Sequence, residues 1–257
     1  MGKEVGGDIG FRPDPMHQFE VHPILPINLG PVDASFTNAS LWMLIIVGLV
    51  ALLFWLSPTR LIPSRLQSMV EMAYEFIAGM MRDILGESGR PYFPFVFTLF
   101  MFIFAANMLG MVPYSFTVTS HIIVTFALAL TVFIGATVIG FARHGTHYLK
   151  LFVPSGVPVI LLPLLVVIEV ISYFTRPISL SVRLFANMMA GHAMLKVFAG
   201  FVVMFLLAGG AWTVMGIAPL ALMVALTGLE ILVAFLQAYV FAVLTCIYLN
   251  DAINMHH

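Results

Sequence analysis

Residues 41–56 form an almost unbroken apolar run, closed by Ser57, Pro58 and Arg60. That predicts one membrane-crossing helix, with Trp42 and Trp55 at the two interfaces. The pattern then changes. Leu66, Met69, Ala73, Phe76, Met80 and Ile84 recur at helical spacing, whereas Glu71, Glu75, Arg82 and Asp83 fall on the other side. With Ser64 and Gln67 placed as a capping box, this predicts an amphipathic helix over 64–86 that lies along the membrane surface or against partner helices. Residues 94–112 and 119–142 read as two further spans joined by an uncharged link around Pro113 and Tyr114, and 143–150 (RHGTHYLK) as a polar loop.

From 151 to 249 the chain stays hydrophobic, interrupted by Gly209–Gly210, Gly216 and Pro219. A helix over 157–208 would be about 75 Å long, against a hydrocarbon core of about 30 Å. Pro177 can kink it, but no turn cluster between Ser172 and Lys196 could reverse it. Residues 211–250 are also longer than one crossing needs. The expectation is a single, all-α integral membrane domain over 1–257. It has about five membrane helices and one amphipathic surface helix, and the last two helices form a long, strongly tilted hairpin at Gly209–Gly210. A polar, Gly- and Pro-rich tail, 1–40, precedes them.

Composition agrees. Hydrophobic residues make up 61% of the 257 positions and charged residues 9%, whereas soluble domains carry about a quarter charged residues; lipid must be the solvent. A net charge of −1 with no basic stretch excludes a nucleic-acid footprint. The single Cys246 lies in an apolar run and reads as packing. The tail lacks the features of a cleaved signal, so the first span would itself be the membrane-targeting signal. His17, Glu20, His22 and the His256–His257 pair read as solvated residues, and no metal site or cofactor is expected. Arg60, Arg65, Arg82 and Arg90 lie between the first two spans, and Arg143 and Lys150 follow the third. The positive-inside rule then puts those loops and the C-terminus in the cytoplasm and the N-terminal tail outside. No internal repeat is evident, which counts against the common transporter folds.

Six ionisable residues interrupt the last apolar hundred: Glu169, Arg176, Arg183, His192, Lys196 and Glu230. Each charge at mid-bilayer costs roughly 3 kcal/mol on insertion scales. Glu169, Ser172, Arg176, Ser179, Arg183 and Asn187 follow one another at intervals of three or four, which puts them on one helical face. Glu230 and Gln237, seven apart, share a face of the next helix. A tight hairpin at Gly209–Gly210 sets Arg183 opposite the neighbourhood of Gln237, and Asn187 and His192 opposite 227–232. Arg keeps its proton at any accessible pH, whereas His and Glu exchange protons near neutrality. This is the equipment of two aqueous half-paths separated by a permanent cation. It lacks a mobile carboxylate, which a partner must bring. Blander readings stand beside it: a structural ion pair for Arg183, helix–helix hydrogen bonding for Arg176, snorkelling for Lys196, and for Asn107 the satisfaction of backbone groups at a helix end.

The run Arg176–Pro177–Ile178–Ser179–Leu180–Ser181–Val182–Arg183–Leu184–Phe185–Ala186–Asn187, ending in Gly191–His192, resembles the signature segment of subunit a of F-type ATP synthases. Glu230, Gln237 and the Leu236–Gln237–Ala238–Tyr239 stretch resemble the family's last helix, and Asn107–Met108–Leu109–Gly110 fits as well. The resemblance implies a bacterial inner-membrane stator subunit, not catalytic alone, that couples proton flow to rotation and ATP synthesis. Its partners would be the c-ring, the peripheral-stalk b subunits, the other F0 and F1 subunits and the bilayer. Arg183 would match the essential arginine facing the ring carboxylates. Asn187, His192, Glu230 and Gln237 would line the outer half-channel, and Glu169, Ser172, Arg176 and Ser179 the inner one. Some members carry the His192–Glu230 pair in the opposite order, and many have Gly where Ala186 stands. The titratable path favours H⁺ over Na⁺. A proton-coupled secondary transporter is the alternative, and a structural anchor a third.

Overall fold

The computed structural model describes residues 19–26, 28–29, 32–33, 35–57, 62–112, 115–153 and 160–254. His17, Pro113, Tyr114 and the His256–His257 pair lie outside them. The approach to the membrane is folded, unlike the plain polar tail expected over 1–40. Strand β1 (Pro23–Leu25) pairs antiparallel with β4 (Phe36–Thr37), and β2 (Asn28–Leu29) with β3 (Val32–Asp33). Asn38 staples this segment: its Nδ2 donates to Glu20 O, its Oδ1 accepts from the His22 amide, and its own N–H donates to His22 O.

Seven helices follow: α1 (Asn38–Trp55), α2 (Arg65–Leu85), α3 (Phe93–Gly110), α4 (Ile122–His144), α5 (Leu162–Ala208), α6 (Ala211–Met215) and α7 (Ile217–Ile253). Among the described residues, five stretches are long and apolar enough to cross a bilayer: Asn38–Trp55, Arg65–Gly110, Ile122–Leu149, Leu162–Ala208 and Trp212–Ile253. The all-α, multi-pass class therefore holds. α1, capped by Thr37 Oγ1 on the Ser40 amide, is apolar all round and buries only Ala39 and Ile46. A helix of that kind faces lipid over most of its surface.

α2 starts on Ser64, whose hydroxyl accepts from the Gln67 amide at 3.3 Å, and Gln67 Nε2 donates to Glu71 Oε1 at 2.8 Å. Its stripe of Ile77, Met80, Met81 and Leu85 is buried in the main core, and Phe76 packs on Phe100, Phe235 and Tyr239. The helix thus packs on its own chain, against α3 and α7. Gly86, at φ 62°, ends it in the left-handed region where a side chain would be strained.

The core joins α3, α4, α5 and α7, with the buried stripe of α2 packed onto it. α5 contributes Leu180, Leu184 and Met188, and α7 contributes Ala238, Phe241, Ala242, Cys246 and Leu249. The wholly buried Ala234, Ala238 and Ala242, at i, i+4 and i+8, form a small-residue stripe. Without bulk there, neighbouring helices approach closely. Cys246 is fully buried and unpaired.

α5 runs 47 residues, about 70 Å. Gly209 (φ 67°) and Gly210 (φ 60°) reverse the chain. The return is not one continuous helix over 211–250. α6 ends at Gly216, and α7 then runs on to Ile253. This short extra piece shifts the hairpin register by about one turn: Asn187, rather than Arg183, meets Gln237.

Candidate functional site

The polar stripe of α5 sits one residue ahead of its buried stripe. Tyr173, Pro177, Leu180, Leu184 and Met188 face the core, so Ser172, Arg176, Ser179, Arg183 and Asn187 lie about 100° round the helix, on the flank of the packed face. Ser172, Ser179, Arg183 and Asn187 are exposed, and Glu169 and Arg176 are half-buried. Along this stripe the side chains divide into three groups.

Towards the Gly209 end, Asn187 Nδ2 donates to Gln237 Oε1 at 2.8 Å. Further on, His192 Nδ1 lies 3.3 Å from Glu230 Oε1, with both side chains less than a tenth exposed. Gly191 makes this approach possible: a Cβ there would stand 2.7 Å from Glu230 Oε1. On the other edge of the imidazole, His192 Nε2 is 3.1 Å from Thr117 Oγ1. Thr117 belongs to a buried turn between α3 and α4, in which Thr119 Oγ1 donates to Asn107 Oδ1 at 2.8 Å and Asn107 Nδ2 donates to Ala234 O at 3.2 Å. Asn107 therefore serves the backbone of α7, not that of its own helix end. The second nitrogen of His121, which stacks on Phe116, and the Nε2 of Gln237 are buried without a partner among the described residues.

Towards the other end, Arg176 Nη1 donates to Asp251 Oδ2 at 2.9 Å, and Arg176 Nη2 lies 3.9 Å from Glu169 Oε1. Its guanidinium stands over the rings of Tyr173 and Tyr248, at 5.6 and 5.4 Å. Tyr173 OH is 2.6 Å from Thr137 Oγ1 and 3.1 Å from Tyr148 OH. Thr137 Oγ1 also donates to Phe133 O, so the phenol is the donor to Thr137. Arg143 stands over the Tyr92 ring, and His144 Nε2 is 3.1 Å from Ile253 O. This end thus gathers the cationic end of α4, the start of α3 and the close of α7.

Between the two groups stands Arg183. It is exposed and makes no hydrogen bond or ion pair among the described residues, unlike Arg176. Ser172 and Ser179 hydroxyls likewise pair with no described side chain. On the flank beside this stripe the helix surface is apolar and uncovered, with Ile171, Ile178 and Val182 all exposed. Seven residues, about 10 Å of helix, separate Arg183 from Arg176, and nine, about 13 Å, from His192.

Asp251, Tyr173, Tyr148, Tyr248 and Thr117 are not legible from the stripe on α5. Asp251 carries a signal all the same: a seven-residue step from Glu230 through Gln237 reaches Leu244 and then Asp251. Thr117 carries none, because its partner lies 75 positions away.

Comparison with known proteins agrees with this architecture. Residues 40–250 match the family described as ATP synthase A chain. The "ATP synthase subunit a" of Parvibaculum lavamentivorans is 59% identical over 257 residues, covering 99% of this chain and 98% of that protein. That of Pelagibacter ubique is 61% identical, over 95% and 99%, and that of Rhodospirillum rubrum 58%, over 94% and 99%. The chain belongs to the ATP synthase A chain family.

Proposed function

We propose, on the strength of that membership, that this chain is the membrane-embedded stator subunit of a rotary ATP synthase and passes protons to and from carboxylates on a rotating ring of partner subunits. One observation carries the mechanism: Arg183 is exposed and unpaired among the described residues, with a titratable group on either side of it along the same helix. A lone cation on a membrane-facing surface is costly. An acid on an apolar partner would remove that cost.

The outer group, Asn187, Gln237, His192 and Glu230, offers exchangeable protons and water-orienting amides. The inner one, Glu169, Ser172, Arg176 and Ser179, joined by Asp251, offers carboxylates held near a bound guanidinium. A proton entering by the outer group neutralises a ring carboxylate, which then travels through lipid uncharged. When that acid arrives beside Arg183, the fixed charge favours its ionised form. At about 4 Å and an effective dielectric of about 20 the attraction is about 4 kcal/mol, or about three units of proton affinity. That suffices to release the proton towards the inner group. Because arginine does not deprotonate, protons cannot hop past it and bypass the ring.

Lys and Arg in the loops put the Arg176–Asp251 end in the cytoplasm and the N-terminus outside. Arg82, Arg90 and Arg143 all belong to the segments at that end. Peripheral-stalk and other F0 and F1 subunits complete the assembly. The test is ATP-driven proton pumping by inverted vesicles carrying the assembled complex with Arg183→Ala, with passive leak recorded after ATP hydrolysis is blocked. Pumping is expected to vanish and leak to rise while assembly persists. Pumping at the parental rate would refute the mechanism.

A further inference from the structure

Turns between helices usually lie at the surface, because their backbone groups need water. The turn between α3 and α4 does not. Phe116, Thr117, Val118, Thr119 and Ser120 are all buried, folded among α1, α3 and α5. Thr119, through Asn107, grips the carbonyl of Ala234, one turn beyond Glu230. Thr117 reaches His192 at 3.1 Å and Gly110 O at 3.2 Å. The turn therefore touches His192 directly and, through Asn107, the helix that carries Glu230, and none of the roles above uses it. We propose that Thr117 is a positioning residue for proton exchange: its hydroxyl accepts from His192 Nε2–H and holds the neutral ring with Nδ1 unprotonated, 3.3 Å from Glu230 Oε1.

The reason lies in the carbonyl of Gly110, the last residue of α3. Such carbonyls lack an intrahelical donor and must find another when buried. The amide of Met111 goes to Met108 O, that of Val112 to Leu109 O and that of Ser115 to Val112 O, and Pro113 has no N–H. Among the described amides none donates to Gly110 O. Ser115 Oγ has one proton and lies closer to Leu109 O (2.6 Å) and Val112 O (2.7 Å) than to Gly110 O (3.1 Å). The Thr117 hydroxyl is placed to donate to it, at 3.2 Å. Gly110 permits the approach, since a Cβ there would stand 2.8 Å from Thr117 Cγ2. A hydroxyl has a single proton and further lone pairs. With that proton on Gly110 O, only lone pairs remain for His192, so Nε2 must carry the ring N–H.

Nδ1 is thereby left basic, 3.3 Å from Glu230 Oε1. When Glu230 is an acid, its O–H bond breaks and an Nδ1–H bond forms, giving a carboxylate beside an imidazolium; the reverse step restores both neutral groups. The Nε2–H bond to Thr117 is the same before and after, so the ring need not turn. In the other tautomer Nδ1 already holds a proton and cannot accept one from Glu230. Lys196, one turn along α5, is the other charged group beside His192 on its own helix.

This inference rests on reading His192 and Glu230 as the outer exchange pair, and the experiment separates the two. The assembled complex is labelled with ¹⁵N-histidine, and the His192 ring signals are identified by their loss in His192→Gln. Protonated and lone-pair ring nitrogens resonate apart. The parent and Thr117→Ser, which keeps the hydroxyl, should show the Nε2–H tautomer, and the serine variant should pump within about threefold of the parent. Thr117→Val, equal in shape but without the hydroxyl, should lose that tautomer preference and pump at least about tenfold more slowly. A valine variant with an unchanged tautomer and parental pumping overturns the proposal. So does a serine variant as impaired as the valine one, because shape rather than the hydroxyl would then matter. Parental pumping by His192→Gln would instead remove the exchange pair itself.

Discussion

Arg176 Nη1 donates to Asp251 Oδ2 at 2.9 Å, joining the middle of α5 to the last turn of α7. Seven residues further along the same face, Arg183 has no such partner among the described residues. Identical side chains on one stripe thus have opposite situations: one is clamped between two tyrosine rings and a carboxylate, the other is exposed. The clamp should be measurable as coupling. Arg176→Gln and Asp251→Asn, singly and together, should give an interaction energy of about 1–2 kcal/mol in a double-mutant cycle of thermal unfolding in detergent. That is below the range for fully buried pairs, because water reaches this one. Additive losses would mean that the two side chains do not act as a pair.

Asn107 is wholly buried and holds two helices through one amide. Asn107→Leu removes the donor to Ala234 O and strands the Thr119 hydroxyl, so it should lower stability by about 1–3 kcal/mol. Adding Thr119→Val removes the stranded hydroxyl and should recover part of that loss, since replacing both partners by apolar groups is cheaper than orphaning one. Denaturation midpoints of the parent and the two variants decide it: a double variant no more stable than Asn107→Leu would show that the hydroxyl was not stranded.

What could be read from the sequence followed spacing within a helix. The intervals from Glu169 to Asn187 place six polar residues on one face, and the structure has them on one flank of α5. Length against bilayer thickness foretold that α5 and α7 exceed a single crossing. What could not be read depended on how separate segments meet. A tight turn at Gly209–Gly210 puts Arg183 opposite Gln237, but α6 intervenes and Asn187 takes that place. The strand pairs before α1 are two or three residues long, too short to leave a period. Thr117 looks like any turn threonine until α5 is packed beside it. The amphipathic stripe of α2 is equally consistent with lipid, partner or self, and only packing shows that it covers α3 and α7.

Gly191 provides the last prediction. A methyl group there would stand 2.7 Å from Glu230 Oε1 and 3.1 Å from its Cδ, inside van der Waals contact. Both ends of the conflict are constrained. α5 and α7 are locked together by Leu184, Met188, Ala238 and Ala242, so the helices cannot part by a few tenths of an ångström without loosening the core. The carboxyl must move instead, and any shift changes its 3.3 Å separation from His192. Gly191→Ala should therefore slow ATP-driven pumping by roughly tenfold or more while the complex still assembles, since proton exchange depends on that separation. Overpacking should also cost about 1–3 kcal/mol of stability. Glu230→Asp shortens the side chain by one methylene and withdraws the carboxyl from the new methyl. In the Gly191→Ala background it should restore stability, yet it should not restore the rate, because an aspartate stands too far from Nδ1. Parental pumping by Gly191→Ala would show that the carboxyl has room elsewhere, and that the approach of these two helices does not set the exchange distance.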